Sequence, residues 1–509
     1  MADPSSPLPA DTPPDCEVHD WLEARADRTI ETSCARVYLT GNLALKVKRP
    51  VNFGFLNYET PALRRWALER ELAFNRAAAP DIYRRVGALT RTAEGRLELD
   101  GDGPEVEAVL EMRRFDETAV LAEQPWAIDG DLAERLGRTI GRFHAGAPAI
   151  RQVEPGGGLS YTIRSNAGLL RDLVPKLDSD QVEHLIAATA AERARLEGLL
   201  SRRRDDGWVR RCHGDLHLGN ILLERGQPIL FDCIEFNDAL SELDILYDLA
   251  FLLMDLDFRR RRDAGVRVLS AWLDETARRF ADGLWDGLAA LPLALSIRAA
   301  VRCHVQAHAG DLAAARAYLL AAIAHLKPEP PVLAAVGGLS GSGKSTFARL
   351  AAPGLGRSPG AVVLRSDEVR KRLWGVGPLD RLPGEAYGPG TSERVYQALL
   401  TEAGACLSAG RSVILDAVFL KPEERTAARM LAETRGVAFQ GLWLEADPDL
   451  LRQRVADRTG DASDADVEVL ERQLSREPGA MDWLSAPSGG DFEPAAEALV
   501  RDLAPPAKA

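Results

Sequence analysis

No two cysteines in this chain stand in a C-x-x-C pair. The six that occur, at positions 16, 34, 212, 233, 303 and 406, are scattered along 509 residues. That spacing excludes a disulfide framework and reads as reduced, mostly buried thiols. Nor is there an unbroken apolar run of the roughly 18 residues a membrane helix needs. "LAFLLM" reads as one face of a buried helix, and no membrane partner is expected. A basic excess is missing as well: 63 Lys and Arg face 76 Asp and Glu, a net charge of -13. Such a balance argues against a broad nucleic-acid or anionic-membrane surface, while leaving room for a local basic pocket. The stretch "MADPSSPLPADTPPDCEV" has neither a basic n-region nor an apolar h-region. It reads as no signal peptide, a cytoplasmic location is expected, and its proline and acid content predicts a disordered tail over 1–29. No internal repeat is present.

What is there is globular: 46% of residues are hydrophobic and 27% charged, enough to bury more than one core at this length. The sharpest break is "HLKPEPP", where three prolines in four residues stop a helix and give an extended connector over 326–331. After it, "VLAAVGGLSGSGKST" is an apolar strand running into a glycine loop, the opening of a new α/β domain over 332–504. Before it, 30–325 reads as a β-rich lobe, 30–116, followed by a helical lobe, 117–325. In the small lobe, "ARVYLT" and "LALKVK" are β-type runs joined by Gly41-Asn42, a two-residue hairpin turn. "TPALRRWALERELAFNRAAAP" predicts a helix with Thr60 as N-cap and Pro61 in its first turn.

The stretch "CHGDLHLGN" poses a choice. On a helix His213 and His217 would share one face, as in zinc hydrolases. But Gly214 and Gly219 break a helix, no third ligand stands at a familiar spacing, and "NILLERGQPILFD" reads as strand, turn, strand. The motif is therefore a loop entering a hairpin, and H-G-D-x-x-x-x-N has the spacing of a kinase catalytic loop. In that reading Asp215 meets the acceptor hydroxyl, Asn220 holds Mg²⁺, and the hairpin returns Asp232 beside Asn220 as a second oxygen ligand. His213 reads as a structural hydrogen bonder.

With "HGDLHLGNILL", "LFDCIEF" and "DILYDLAFLLMDL" in place, residues 30–325 resemble the aminoglycoside phosphotransferase branch of the protein-kinase-like fold. The resemblance implies a bilobal domain with Asp215 as catalytic base and Asp232 and Asn220 as metal ligands. It also implies a strand lysine on the nucleotide phosphates, paired with a helix glutamate. Lys46 and Lys48 alternate onto one face, with the A-x-K spacing favouring Lys46, and "ERELAFN" favours Glu71 over Glu69. Asp244 and Asp248 read as caps and structural hydrogen bonders. One departure is the absence of a G-x-G-x-x-G loop in "IETSCARVYL". A subgroup of fused predicted kinases is similar also across "KRPVNFGFLNYET", to which no chemistry attaches beyond an ordered loop.

A second phosphate motif follows. Gly338, Leu339, Ser340, Gly341, Ser342, Gly343, Lys344 and Ser345 fit G-x-x-x-x-G-K-[ST], and Thr346 continues into a helix. The glycines let backbone N–H groups turn around a β-phosphate at a helix N-terminus. Lys344 then reaches the β/γ oxygens and Ser345 coordinates Mg²⁺, with Asp416 at the end of "RSVILD" as its Walker-B-type partner. Asp367 in "SDEVR" is placed to take the acceptor proton, and Arg370, a turn on, to grip an anionic part of the acceptor. Arg454 and Arg458 in "LLRQRVADR" have the spacing of a lid that clamps ATP phosphates. This half resembles the P-loop small-molecule kinases, and its D-x-x-R resembles the polynucleotide 5′-kinases most closely. Residues 384–396 and 460–466 are polar segments that read equally as walls of the acceptor pocket or as surface loops.

The expected protein is thus an α/β and α+β chain of two domains. A bilobal kinase-like fold precedes a P-loop NTPase with a parallel sheet flanked by helices. Both use ATP and Mg²⁺ to phosphorylate a small-molecule hydroxyl acceptor, with sugars or aminocyclitols favoured. Two rival expectations stand: a pseudokinase N-terminal domain that senses a ligand and gates the P-loop domain, and 5′-hydroxyl polynucleotide kinase activity with "VRKRLWG" as a basic mouth.

Overall fold

The strongly β-type runs at 35–48 organise the first sheet. In the computed structural model, which describes residues 13–52, 56–280, 282–457 and 461–504, they form an antiparallel hairpin. The strands β1 (Arg28–Glu31), β2 (Ala35–Thr40), β3 (Leu43–Lys48), β4 (Tyr83–Arg91), β5 (Leu97–Leu99) and β6 (Glu105–Arg113) make an antiparallel sheet of order β1-β2-β3-β6-β4-β5. The helix Pro61–Ala78 lies on β4 and β6. Thr60 caps it through Leu63 N at 3.3 Å. Its buried residues Arg64, Ala67, Leu68, Glu71 and Asn75 share one stripe, which turns Glu71 inward.

The tail expected over 1–29 is corrected from residue 13 onward; residues 1–12 lie outside those described. Pro13–Glu23 is a helix, and β1 begins at Arg28. Val18 and Leu22, one turn apart, are buried with Tyr38, Leu45 and Val47, and that apolar pair outweighs the acidic composition.

In the helical lobe, β7 (Val209–Arg211) pairs with a later strand, and β8 (Ile221–Glu224) pairs with β9 (Gln227–Leu230) as a hairpin. The partner of β7 is β10 (Glu242–Asp244). The helix Ile245–Phe258 is buried all round from Ile245 to Leu256 and forms the axis of this lobe. Contrary to the expectation from contiguous runs, the helical stretch Leu284–His308 is long and apolar enough to cross a membrane, with 78% of its most apolar window buried inside the protein. It packs on Ile245–Phe258 and Leu312–Leu326, where a core helix belongs.

The second sheet contains β11 (Val332–Gly338), β12 (Val362–Arg365), β13 (Val413–Asp416), β14 (Ala438–Glu445) and β15 (Leu484–Pro487). All pairings are parallel, in the order β12-β13-β11-β14-β15. Every residue of β11 is buried, as a central strand covered on both faces requires. The helix Arg262–Ala277 joins the domains. Val266 enters the apolar cluster of Val332, Phe347 and Val363, and Ser270 Oγ accepts from Val363 N at 3.2 Å.

Candidate active sites

Strand alternation puts Lys46 and Lys48 on one side of β3, over the inward stripe of the helix Pro61–Ala78. Lys46 Nζ is 2.6 Å from Glu71 Oε1, and Lys48 Nζ is 2.8 Å from Glu71 Oε2. Glu71 is wholly buried. Burial alone would raise its carboxyl, but the two ammonium groups hold it well below the usual range. Glu69 lies outside this stripe, exposed and paired with Arg65 at 3.2 Å. Sequence reasoning missed Glu235, which accepts from Lys48 Nζ at 2.6 Å and from Tyr58 OH at 3.2 Å. Two lysines therefore face two buried glutamates, and Lys46 also reaches Asp232 Oδ1 at 3.4 Å.

The β8–β9 hairpin closes with Phe231 N donating to Asn220 O at 3.1 Å, which sets Asp232 next to Asn220. Asp232 has φ of +62°, a left-handed conformation rare for a non-glycine residue and common at functional turns. Its carboxylate is 51% exposed and faces Lys46. Asn220 Nδ2 donates to both Asp215 O and Asp215 Oδ2 at 2.9 Å. His217 Nδ1 accepts from Gly219 N at 3.0 Å, leaving Nε2 as the donor toward Asp215 Oδ2 at 3.3 Å. Burial raises the Asp215 carboxyl, yet the His217 hydrogen bond and the neighbouring histidines and Arg298 outweigh it and push it down to about 2.

Beneath this loop is a buried relay. Asp248 accepts from His213 N at 3.1 Å, Gly214 N at 2.8 Å and His144 Nε2 at 3.0 Å. His144 Nδ1 accepts from Trp272 Nε1 at 3.0 Å, so its proton is on Nε2. Asp248 is thus the structural hydrogen bonder that the sequence suggested, and the backbone it fixes is that of the H-G-D turn. Asp244 caps Leu246 N at 2.9 Å and holds Arg203. Gly214 has φ of +85°, and a Cβ there would meet Leu240 O at 2.5 Å, so the motif is a turn and not the helix a zinc pair needs. His213 Nε2 donates to Phe231 O at 2.8 Å, and burial lowers its pKa. His144, Cys212 and Asp248 are the group with metal-ligand spacing among the described residues. Both His144 nitrogens are committed, and Cys212 Sγ donates to Leu243 O at 3.3 Å.

In the second domain the loop after β11 wraps the start of the helix Lys344–Ala351. Gly343 has φ of +84°, with space for a Cβ filled by the Phe492 ring at 2.8 Å. Lys344 Nζ folds back onto Leu339 O at 3.0 Å. Ser345 Oγ donates to Asp416 Oδ2 at 2.6 Å, joining the helix start to the end of β13. Gly338 and Gly341 have φ of +143° and +86°. Ser340 N donates to Gln473 Oε1 at 2.9 Å, Ser342 is buried, and Thr346 is exposed. Arg454 donates to Gly341 O at 3.4 Å and Ser488 Oγ at 2.9 Å, at the rim of the loop. Arg458 lies outside the described residues.

Arg365 is a central group that spacing did not reveal. Buried at the end of β12, it reaches Asp416 at 3.3 Å, Asp461 at 3.0 Å and Glu368 at 3.6 Å. Asp367 lies in the first turn of the helix Ser366–Leu373, in the same charge field. Burial raises its pKa; Arg365 opposes this, and Asp416 and Asp461 reinforce it. Arg370 is buried, donating to Ala386 O at 2.7 Å under the Tyr387 ring. The structure therefore does not place it as an open anion grip. The basic mouth expected from "VRKRLWG" is also absent. Lys371 is buried against Asp464 at 3.0 Å, and Arg372 is held by Asp274 and Glu402, each at 2.6 Å. The segments 384–396 and 460–466 meet at Tyr387 OH and Asp464 Oδ2, 2.9 Å apart.

A lysine–glutamate pair facing an acidic turn in one half, and a glycine loop on a parallel sheet in the other, define an ATP-dependent kinase of two domains. Residues 67–291 match the phosphotransferase enzyme family, and residues 333–478 match an AAA domain. The chain is 32% identical over 484 residues to the uncharacterized protein Rv2004c of Mycobacterium tuberculosis (strain ATCC 25618 / H37Rv), covering 92% of this chain and 93% of that protein. It belongs to the family of that protein, in which it joins a phosphotransferase-type domain to a P-loop domain. Among solved structures, a choline kinase from Cryptosporidium parvum Iowa II is 12% identical, with a TM-score of 0.38 over 60% of this chain and 88% of that one. A sugar kinase from Janibacter sp. HTCC2649 is 23% identical, with a TM-score of 0.26 over 35% of this chain and 97% of that one.

Proposed function

We propose that both domains are catalytic, each transferring the γ-phosphoryl group of ATP to a hydroxyl of a small molecule, with sugars or aminocyclitols as the favoured acceptors. The observation that carries this reading is the Lys46–Glu71 pair, 2.6 Å, opposite the Asp215–Asn220 pair, 2.9 Å, in a chain that also holds Ser345 on Asp416 at 2.6 Å. Each half thus couples a phosphate-neutralising lysine to two neighbouring oxygen donors.

Those donors suit Mg²⁺: an amide and a carboxylate in Asn220 and Asp232, a hydroxyl and a carboxylate in Ser345 and Asp416, with no thiol or imidazole among them. When bound, Mg²⁺ would neutralise charge on the β- and γ-phosphate oxygens. Lys46 and Lys344 add positive charge on the same oxygens, and the backbone N–H groups of Gly341, Gly343, Lys344 and Ser345 would cradle the phosphates in the second domain. Arg454 lies at the loop rim, where it would clamp phosphate.

In the transfer step the acceptor O–P bond forms, the bond from the γ-phosphorus to the bridging oxygen breaks, and ADP leaves. The acceptor proton passes to Asp215 in the first domain and to Asp367 in the second. A carboxyl as acidic as Asp215 is a weak base, so its main work is to orient the hydroxyl, with proton transfer late in a loose transition state. The fusion is read as linking two steps on related acceptors. A metabolite-library screen for ADP release tests this with the full chain: acceptors lost in Asp215→Ala and acceptors lost in Lys344→Ala should be chemically related. Two sets without shared chemistry would defeat the linkage.

A further inference from the structure

A cavity of about 510 Å³ lies between the two domains and shares no residue with either centre described above. Its volume falls in the range of small-molecule sites, roughly 300–1,000 Å³, and domain boundaries are a preferred place for them. One wall is apolar, formed by Met254, Phe258, Leu295 and Ala324 of the helical lobe. The other carries Arg262, Lys327 of the connector and Arg357 from the loop before β12.

The charges on this wall do not balance locally. Arg357 donates to His325 O at 2.7 Å; among the described residues no carboxylate is within ion-pair distance of it, and Glu192 and Glu329 act on it from farther away. Behind it, Arg411 is buried, and among the described residues its guanidinium donates to the carbonyls of Ser358, Arg357 and Gly360, at 2.9, 3.0 and 2.8 Å. Arg262 has Asp257 at 3.5 Å and two loop carbonyls. Burial, and after it the charges of Arg357 and Arg262, push Arg411 down to about 10, against Glu329. Asp257 and Glu329 are the carboxylates of the cavity, against Arg262, Lys327 and Arg357 in its lining with Arg411 behind. In a chain of net charge -13, this is a local basic pocket facing an apolar wall.

We infer that this interdomain cavity binds one small amphipathic organic anion, a carboxylate or phosphate monoester on an apolar body, with Arg357 as the principal anion contact. The apolar body lies on Phe258 and Leu295, and the anionic head lies among Arg357, Arg262 and Lys327. Such a ligand touches both domains and the connector at once. It uses none of the residues assigned to phosphoryl transfer.

Isothermal titration of the full chain tests the site, with both nucleotide sites saturated by a non-hydrolysable ATP analogue and Mg²⁺. The probes are 1-naphthyl phosphate, 1-naphthoate and inorganic phosphate. The expected result is one 1-naphthyl phosphate or 1-naphthoate per chain, with inorganic phosphate at least about tenfold weaker because it leaves the apolar wall uncovered. The relative strength of the two naphthyl probes tells phosphate esters from carboxylates. Arg357→Gln should weaken binding about tenfold or more, Arg357→Lys should keep it within about threefold, and Ala324→Trp, which fills the cavity, should abolish it. Affinity for the ATP analogue should be unchanged in all three variants. The inference is overturned if no naphthyl probe binds beside the nucleotide analogue, if inorganic phosphate binds as tightly, or if binding is equal in wild type and all three variants.

Discussion

Lys46 and Asp232 meet across the cleft of the first domain, Nζ to Oδ1 at 3.4 Å, while Glu71 holds the same ammonium from behind at 2.6 Å. The lysine is thus aimed at the place where a nucleotide phosphate and its cation would sit. Replacing it by Met removes the charge on the phosphates and leaves Glu71 with Lys48 alone. Charge-assisted hydrogen bonds of this kind contribute about 1.5–3 kcal/mol. The first-domain kcat/KM for ATP should fall about 10- to 100-fold in steady-state assays. ATP affinity of the P-loop site, measured in the same variant, should not change.

Asp248 is the acceptor for His213 N, Gly214 N and His144 Nε2, all buried. Asp248→Ala leaves three donors without a partner, and the cost should be about 3–5 kcal/mol in chemical denaturation. Asp248→Asn keeps one acceptor oxygen and should lose less. Both variants should impair the reaction that depends on Asp215 far more than the one that depends on Lys344.

The two proposed bases should separate by pH. Asp215, with its carboxyl pushed down to about 2, stays ionised throughout any practical assay, so it gives the first activity no acid limb above about pH 4. Asp367 is raised, chiefly by burial, so the second activity should lose its base as pH falls through a value above the ordinary aspartate pKa of about 3.9. Rate–pH profiles of Lys344→Ala and Asp215→Ala chains, each retaining one activity, check the order of the two limbs.

Several of these contacts were legible in the sequence and others were not, for a physical reason. Lys46, Glu71, Asp215, Asn220 and Asp232 lie on elements whose period or turn fixes where each side chain points. The strand alternation of β3, the helix stripe ending at Asn75 and the two-residue hairpin loop between β8 and β9 are local geometry. Asp416 was found the same way, at the end of a buried strand. Glu235 lies 177 residues from Tyr58, and Arg365 lies 96 from Asp461; no local period links such pairs. The burial of Arg370 and Lys371 was hidden because their partners, Ala386 O and Asp464, are distant in sequence, and that of Arg372 because Asp274 comes from the other domain. Charge counting sees three cations there and does not see Asp274.

Asp274 accepts from Arg138 and Arg372 at 2.6 Å and from Arg278 at 3.2 Å, and is almost wholly buried where the domains meet. Burial raises its carboxyl, but Arg372, Arg138 and Arg278 bring it below the usual aspartate value. A depressed carboxyl contributes stability above its unfolded pKa, about 3.9, and that contribution is lost as pH falls through the folded value. Asp274→Asn should therefore cost about 3–5 kcal/mol near neutral pH, because three guanidinium groups lose a buried carboxylate. The difference from wild type should shrink in acid. Thermal unfolding followed at several pH values checks both the size and the sign.

The central claim is that phosphoryl transfer occurs at two centres. The most direct measurement is ADP release, with the same set of hydroxyl acceptors, by the wild-type chain and by Asp215→Ala and Lys344→Ala. Each substitution should abolish transfer to its own acceptors, by about a hundredfold or more, and spare the other's. If Asp215→Ala leaves every acceptor-dependent rate intact while Lys344→Ala removes them all, the first domain is a sensor and the two-centre account is wrong.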